Sequence, residues 1–215
     1  MVFLRSLLQC ACPPAAALTA IPANTCLERF GQIQKIMIQR TKDGATTNII
    51  TIASTNPNVL ATWTALKAAV ANTKVVVTPY IENPENTPGD PRTYGGGNAT
   101  LGGIEKTIGS NPSPFTAEFH DITQAIIAVI KEIQCETDIS IFLINEHGEI
   151  IGITDDPATP TTFKGIQARS FFVSDKKLGM FEEVDKNIIS WAFLPNWSDL
   201  LYRVTPTDFD ALIDL

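Results

Sequence analysis

Cysteines at positions 10, 12, 26 and 135 and histidines at 120 and 147 are the chain's whole supply of soft metal ligands and of bases that titrate near neutrality. Cys10, Cys12 and Cys26 lie close together, but a Cys-x-Cys followed by a lone Cys lacks the paired Cys-x-x-Cys hooks of structural zinc. One disulfide would pin that segment in an oxidising compartment; free buried thiols are the plainer expectation. Two histidines do not make a three-histidine metal site, and Asp155-Asp156 alone is a poor one. Cys135 and His120 form a nucleophile–base pair on paper, yet a cysteine near the end of an apolar helix is far more often structural. Glu118 and Asp121 would be paired carboxylates, but Asp121 is already accounted for as a helix cap. No Gly-x-Ser-x-Gly elbow occurs. The expectation is therefore no catalytic residue, no metal, no cofactor and no enzyme.

A glycine run, Tyr94-Gly-Gly-Gly-Asn-Ala-Thr-Leu-Gly-Gly103, raises the question of phosphate binding. A phosphate cradle needs glycines that lead into a helix, with a lysine and a hydroxyl residue meeting the anion. Gly97 is followed by no such lysine, and downstream come the prolines of Asn111-Pro-Ser-Pro114 rather than a helix. The run is better read as part of a long loop that lies across a neighbouring subunit. Its candidate assembly residues are Arg92, Tyr94, Gly96, Asn98 and Leu101.

The element most clearly written in the sequence is Phe115 to Thr154. It reads as a strand to His120, a helix capped by Asp121, and a hairpin of Ile139–Ile144 and Glu149–Thr154 around Asn145-Glu-His-Gly148. Ile122, Ile126, Val129, Ile130 and Ile133 fall at helical spacing and are expected to form the buried stripe. Upstream, Gln32–Arg40 alternates as a strand with one slip at Met37, Lys42–Ala45 is a turn, and Asn48–Ala53 is a short strand. Asn56 and Pro57 open a helix with Val59, Leu60, Trp63, Leu66 and Val70 inward, and Lys74–Thr78 is a strand. Glu82–Pro114 is expected to be irregular, because Pro84, Pro88 and Pro91 oppose pairing. Downstream, Asp155–Pro160 is a loop, Gln167–Ser174 a strand, and Ile188–Leu194 with Leu200–Thr205 a final hairpin before a short terminal helix. His120 is expected at a helix start and His147 in a solvated turn.

About eight strands and two helices that do not alternate imply an α+β chain, mainly β. The core is an antiparallel sandwich or barrel-like body flanked by one main helix. Residues 1–28 form an N-terminal docking arm, and 29–215 a single β-rich domain with the insertion at 82–114. Met1–Ala20 has the look of a secretory leader, but Gln9 and Pro13-Pro14 interrupt its apolar run, and Gln9 before Cys10 does not suit a lipoprotein site. It is read as an arm, with Phe3, Leu4, Arg5 and Leu7 as its contacts.

Of the 215 residues, 44% are hydrophobic and only 18% charged, which leaves little polar surface and favours a subunit that buries area against copies of itself. The net charge of −7 opposes general binding of a nucleic-acid backbone. The charge is uneven. Arg5, Arg29, Lys35, Arg40 and Lys42 against Glu28 give +4 through position 42, so the remainder carries −11 of the total −7. A basic first segment on an acidic body suits a head-to-tail assembly.

The strand–helix–hairpin of Phe115–Thr154, the insertion at Glu82–Pro114, the arm and the acidic body together resemble the tail tube proteins of tailed bacteriophages. Thr93-Tyr-Gly-Gly-Gly-Asn-Ala-Thr100 and Pro195-Asn-Trp-Ser-Asp199 are similar to phrases in structural proteins of phages or prophages of Bacteroidetes-type hosts. The resemblance is one of layout and transfers no functional residue. It implies a virion tail protein, assembled in the host cytoplasm, that stacks as commonly hexameric rings bridged by loops and arms. Its partners would be itself, other tail proteins and, as transient cargo in an acidic lumen, DNA, with no membrane. Another particle component (a tail terminator, a ring or a head decoration protein) fits the same features. An exported ligand-binding protein would instead need a concave site near Trp63, Trp191 or Trp197.

Overall fold

A computed structural model describes residue 21, residue 23 and residues 29–215 of the chain. Its first part runs β1 (Ile33–Arg40), β2 (Lys42–Asp43), β3 (Thr46–Thr47), β4 (Ile50–Thr51), helix α1 (Leu60–Ala68) and β5 (Val75–Val77). The middle holds β6 (Glu82–Asn86), β7 (Pro91–Gly95), β8 (Glu105–Ser110), β9 (Ser113–His120), α2 (Gln124–Glu132), β10 (Ile139–Asn145) and β11 (Ile150–Thr154). The last part is β12 (Thr162–Lys164), β13 (Ile166–Val173), β14 (Lys186–Phe193) and β15 (Leu201–Val204). The α+β, mainly antiparallel class expected from the sequence is the one observed.

Eleven strands share one sheet in the order β4-β12-β11-β10-β13-β14-β9-β6, with β1 and then β5 on the other side of β10, and β15 on β11. No closed barrel forms. β5 lies on β1 and β6 lies on β9, and between them Thr78 N–H to the Ile36 carbonyl (3.0 Å), the Thr78 hydroxyl to the Ile36 backbone, and Ile81 N–H to the Gln34 carbonyl (2.8 Å) hold the chain to β1. The sheet encloses two cores. Ile139, Ile141 and Leu143 of β10 join Ile36, Ile38, Phe115, Phe119, Trp191 and Phe193 on one side, with Ile127 and Ile130 of α2. Phe142 and Ile144 point the other way, to Met37, Trp63, Val75, Ile150, Phe163 and Val204. Met37 breaks the alternation of β1 because the second core needs an apolar residue on that face.

The hairpin turn after β10 is built by a buried side chain. Asn145 Oδ1 accepts the N–H groups of His147 (3.0 Å) and Glu149 (2.9 Å), while its Nδ2 donates to the Phe30 carbonyl (2.9 Å) and to Glu149 Oε2 (2.7 Å). All four hydrogen-bonding positions of the amide are filled, which makes its burial affordable.

Several local expectations change. The first residue of α2 follows Thr123, not Asp121, and no side chain caps it. Asp121 instead takes a left-handed φ of 50° in the turn out of β9, its N–H bound to the Asp185 carbonyl. That shift rotates the inward face: Ile127 and Ile130 are buried, while Ile126 and Val129 are exposed. For α1, Asn56 Oδ1 accepts the Asn58 N–H in a local turn, which delays the helix to Leu60 and leaves Val70 outside and fully exposed. The Leu60 N–H is capped by Asp208 from the far end of the chain, at 2.9 Å. That residue lies in a bend at 207–208, and a single turn at 211–214, bonded back to the Asp210 carbonyl, stands where a terminal helix was expected.

β14 and β15 do not form a hairpin, because β13 and β9 already occupy both edges of β14. Trp197 stacks on Phe193 with centroids 4.6 Å apart, the Pro195–Asp199 turn redirects the chain, and β15 pairs with the free edge of β11.

The corrected face of α2 makes a direct test. Ile127→Ala is expected to cost about 2–5 kcal/mol in urea unfolding, as for a buried aliphatic truncation. Val129→Ala is expected to stay within about 0.5 kcal/mol. The opposite ranking would restore the face inferred from spacing.

Candidate assembly surface

Residues 82–114, expected to be irregular, form a β-ribbon. Asn86 stands opposite Phe115 in the sheet, and Pro91 stands opposite Ser110 in a separate two-stranded piece. From the first pair to the second, both strands advance by five residues, so β6–β9 and β7–β8 share one register. Thr87 N–H to the Pro114 carbonyl (3.0 Å) and Asn111 N–H to the Asp90 carbonyl (2.8 Å) bridge the gap. The Asn111 bond puts Asp90 at a bonded position, so the missing N–H of Pro91 falls at the next position, which makes no cross-strand bond. Pro84 lies in the stretch where the β6–β9 register shifts, between Glu82 and Glu85. The prolines are thus accommodated at a bulge and on edges. Beyond the sheet, Thr87 to Gly95 at about 3.3 Å per residue give the ribbon a reach of roughly 25 Å or more.

At its end, Gly95, Gly96 and Gly97 have φ of 101°, 96° and 53°, a left-handed run that L side chains rarely adopt. Thr100 fastens the turn: its Oγ1 accepts the Gly96 N–H at 3.1 Å and donates to the Ile104 carbonyl at 2.8 Å. The glycines therefore turn a hairpin.

Tyr94 stands opposite Lys106, Ile104 lies two residues before Lys106, and Ile108 is the unpaired residue of a bulge between Thr107 and Gly109. Tyr94, Ile104 and Ile108 are 58%, 66% and 55% exposed, and Leu101 at the tip is fully exposed. Among the described residues β7 and β8 pair only with each other, so within that set both outer edges of the ribbon carry unpaired backbone groups. Of the residues singled out in the sequence, Tyr94 and Leu101 are among these exposed apolar side chains. Gly96 and Asn98 shape the tip, and Arg92 flanks a bulge between itself and Thr93. Ile104 and Ile108 are exposed beside them, and sequence reasoning did not single them out. The arm residues Phe3, Leu4, Arg5 and Leu7 lie outside the described residues, as do Cys10, Cys12 and Cys26.

The remaining chemically capable residues have other employment. His120 Nδ1 lies 2.9 Å from Glu82 Oε2 and its Nε2 3.0 Å from Glu118 Oε2, so both ring nitrogens are engaged away from Cys135. Cys135 is a free thiol and is exposed, not buried. Glu118 also accepts from Lys186 Nζ (2.6 Å) and Asn83 Nδ2 (3.1 Å). The bonds from His120 and then Lys186 hold its carboxyl down at about 2. The cluster ties β6, β9 and β14 together at the end of β9 opposite the ribbon. Asp155 accepts from the hydroxyl and N–H of Thr161, from the N–H of Thr162 and from the Thr154 hydroxyl, which pushes its carboxyl far below the usual range. Asp156 accepts from the Ala158 N–H and the Thr159 hydroxyl. Among the described residues no group of three or more His, Cys, Asp or Glu is placed to hold a metal. His147 is exposed in its turn, and Trp63 and Trp191 are buried in the two cores. Only Trp197 borders surface grooves.

No protein-family model matches the chain, and no curated protein matches it. Among solved structures it is similar to a chain of the "anti-feeding prophage (AFP) baseplate, 6-fold symmetrised", at 10% identity with a TM-score of 0.29, over 87% of this chain and 98% of that one.

The Glu118 cluster carries a pH signature. A carboxyl held near 2 when folded, against an ordinary 4.5, stabilises the fold fully above pH 4.5 and loses that contribution as pH falls through 2. Glu118→Gln is therefore expected to be less stable than the parent protein in urea above pH 5, with the gap closing towards pH 2. A gap independent of pH would show that the carboxylate's charge is not what holds the cluster.

Proposed function

We propose that this chain is a structural subunit of a virion or prophage-derived particle that assembles with copies of itself through the ribbon. In the finer form of the proposal it is a ring subunit of a tail tube, commonly hexameric, whose rings stack and conduct DNA. The observation that carries the reading is the set of exposed apolar side chains Tyr94, Leu101, Ile104 and Ile108 on a ribbon that, among the described residues, joins neither core. An isolated two-stranded ribbon is marginal in water, and a long exposed one with an apolar face is a template for association. Covering those side chains removes their apolar area from water and gives the open strand edges partners.

The acidic balance of the chain is consistent with a conduit, because a lumen that repels phosphates lets duplex DNA slide without sticking. Glu82, Glu85 and Glu118 lie on one face of the β6–β9 pair, where Lys186 and His120 bond Glu118 and Glu82 and leave Glu85 outside that cluster. The proposal gives the chain no catalytic step, metal, cofactor or membrane. It places the protein in the virion tail, after assembly in the host cytoplasm with other tail proteins. Of the three tryptophans named for the exported-binder reading, Trp63 and Trp191 are buried, which weighs against it there, while Trp197 borders grooves.

Negative-stain microscopy of the purified chain, with its mass in solution, tests the proposal. Rings or hollow tubes are expected, and their loss is expected in Tyr94→Ser/Leu101→Ser/Ile104→Ser. Discrete rings that never stack would assign the chain to a terminator, ring or decoration component. A monomer at every concentration would contradict self-assembly.

A further inference from the structure

A polar groove at the root of the ribbon has no part in the assembly reading. It lies between the first residues of the ribbon and the Pro195–Asp199 turn, has a volume of about 320 Å³, and is lined by Asn86, Asn111, Asn196, Asp199 and Trp197 with small neighbours. That volume falls at the lower end of small-molecule sites. The backbone around it is already fixed. On the ribbon side the Gly89 N–H donates to Oγ of the buried Ser113 at 3.1 Å, and the Asn111 N–H to the Asp90 carbonyl at 2.8 Å. A Cβ at Gly89 would stand 2.0 Å from the Asn111 carbonyl oxygen, so only glycine lets the two strands close here. On the turn side the Trp197 N–H binds the Leu194 carbonyl and the Asp199 N–H the Asn196 carbonyl, both at 3.2 Å. The indole stacks on Phe193 with an interplanar angle of 26°. The side chains are the reverse. Among the described residues, the amides of Asn86, Asn111 and Asn196 and the carboxylate of Asp199 make no hydrogen bond, although all four line one groove.

We propose that this groove binds a neutral saccharide. The lining decides the class of ligand. Among the described residues no Lys, Arg or His borders the groove, so nothing there neutralises a phosphate, a sulfate or an anionic polymer. One carboxylate among neutral amides carries too little charge for a hard cation. A fatty chain would leave the amides covered and unpaired, which is costly. Three amides that each donate and accept match hydroxyls that do the same. The indole supplies a flat apolar surface for the C–H face of a sugar ring, so the groove meets both sides of such a ligand at once.

With the backbone locked on both sides, the ordering cost of binding is confined to a few short side chains. The inference does not depend on the assembly reading, because it uses the root of the ribbon and none of its exposed apolar side chains.

Tryptophan fluorescence of the full chain reads the site, because Trp63 and Trp191 are buried and Trp197 is the half-buried member of the three. The protein is screened on an array of neutral gluco-, galacto-, manno-, xylo- and N-acetylglucosamine oligosaccharides, with sulfated and sialylated glycans alongside. Each one retained is titrated in solution with acrylamide as quencher. At least one neutral oligosaccharide is expected to bind and to shield Trp197 from acrylamide. Asn111→Ala/Asn196→Gly removes two of the amides, and glycine keeps the left-handed φ of 63° at position 196. This variant is expected to bind about tenfold more weakly, the loss of two modest hydrogen bonds, with its melting temperature unchanged. Retention of no neutral glycan, or of the anionic glycans alone, overturns the inference. Binding that leaves either the quenching or the variant's affinity unchanged puts the sugar elsewhere and overturns it equally.

Discussion

Seven consecutive residues of β10 are buried, and the two faces of that strand serve different cores. This constraint fixes the rest. A strand with no solvent face must be covered on both sides and paired on both edges, since exposed apolar faces and orphaned backbone groups are both costly. β1 takes one whole edge, β11 and β13 share the other, α2 closes one face, and α1 with the C-terminal turn lies over the second. The interaction among Phe142, Trp63 and Phe163, with centroids 5.3 to 6.5 Å apart, locks α1 against the strand.

From that centre the sheet carries rigidity outward to the ribbon. β13 and β14 connect β10 to β9, whose inward residues Phe115, Ala117 and Phe119 are buried with the first core. The other end of β9 continues in register into β8. The ribbon is thus anchored by packed strands at its root and by nothing among the described elements at its tip. The Glu118 cluster fastens β6 and β14 to β9 at the strand's other end. A well-anchored base under an apolar, unpaired tip suits a contact that must be presented in one orientation, with little ordering entropy lost on docking.

Much of the β10–β11 centre was legible in the sequence because its signals are local: apolar runs around Asn145-Glu-His-Gly148 define a hairpin wherever they occur. The misreadings came from information held elsewhere in the chain. Ile126 and Val129 fit helical spacing as well as Ile127 does, and the choice between faces depends on the left-handed Asp121. α1 begins where Asp208 caps it, a residue 148 positions away. β14 and β15 look like a hairpin until β9 and β13 are seen to fill both edges of β14. Pro84, Pro88 and Pro91 argued against pairing only if the pairing were central; bulges and edges tolerate them. In the candidate surface, Tyr94 and Leu101 were identified from the loop itself, whereas the exposure of Ile104 and Ile108 appears only once the ribbon is formed.

Hydrogen exchange compared between monomeric and assembled protein tests most directly whether the ribbon is the element that association covers. The β10 amides should be protected in both states, and those of 91–110 should exchange quickly in the monomer and slow sharply on assembly. Ribbon amides that exchange equally fast in both states, with new protection appearing elsewhere, would contradict it.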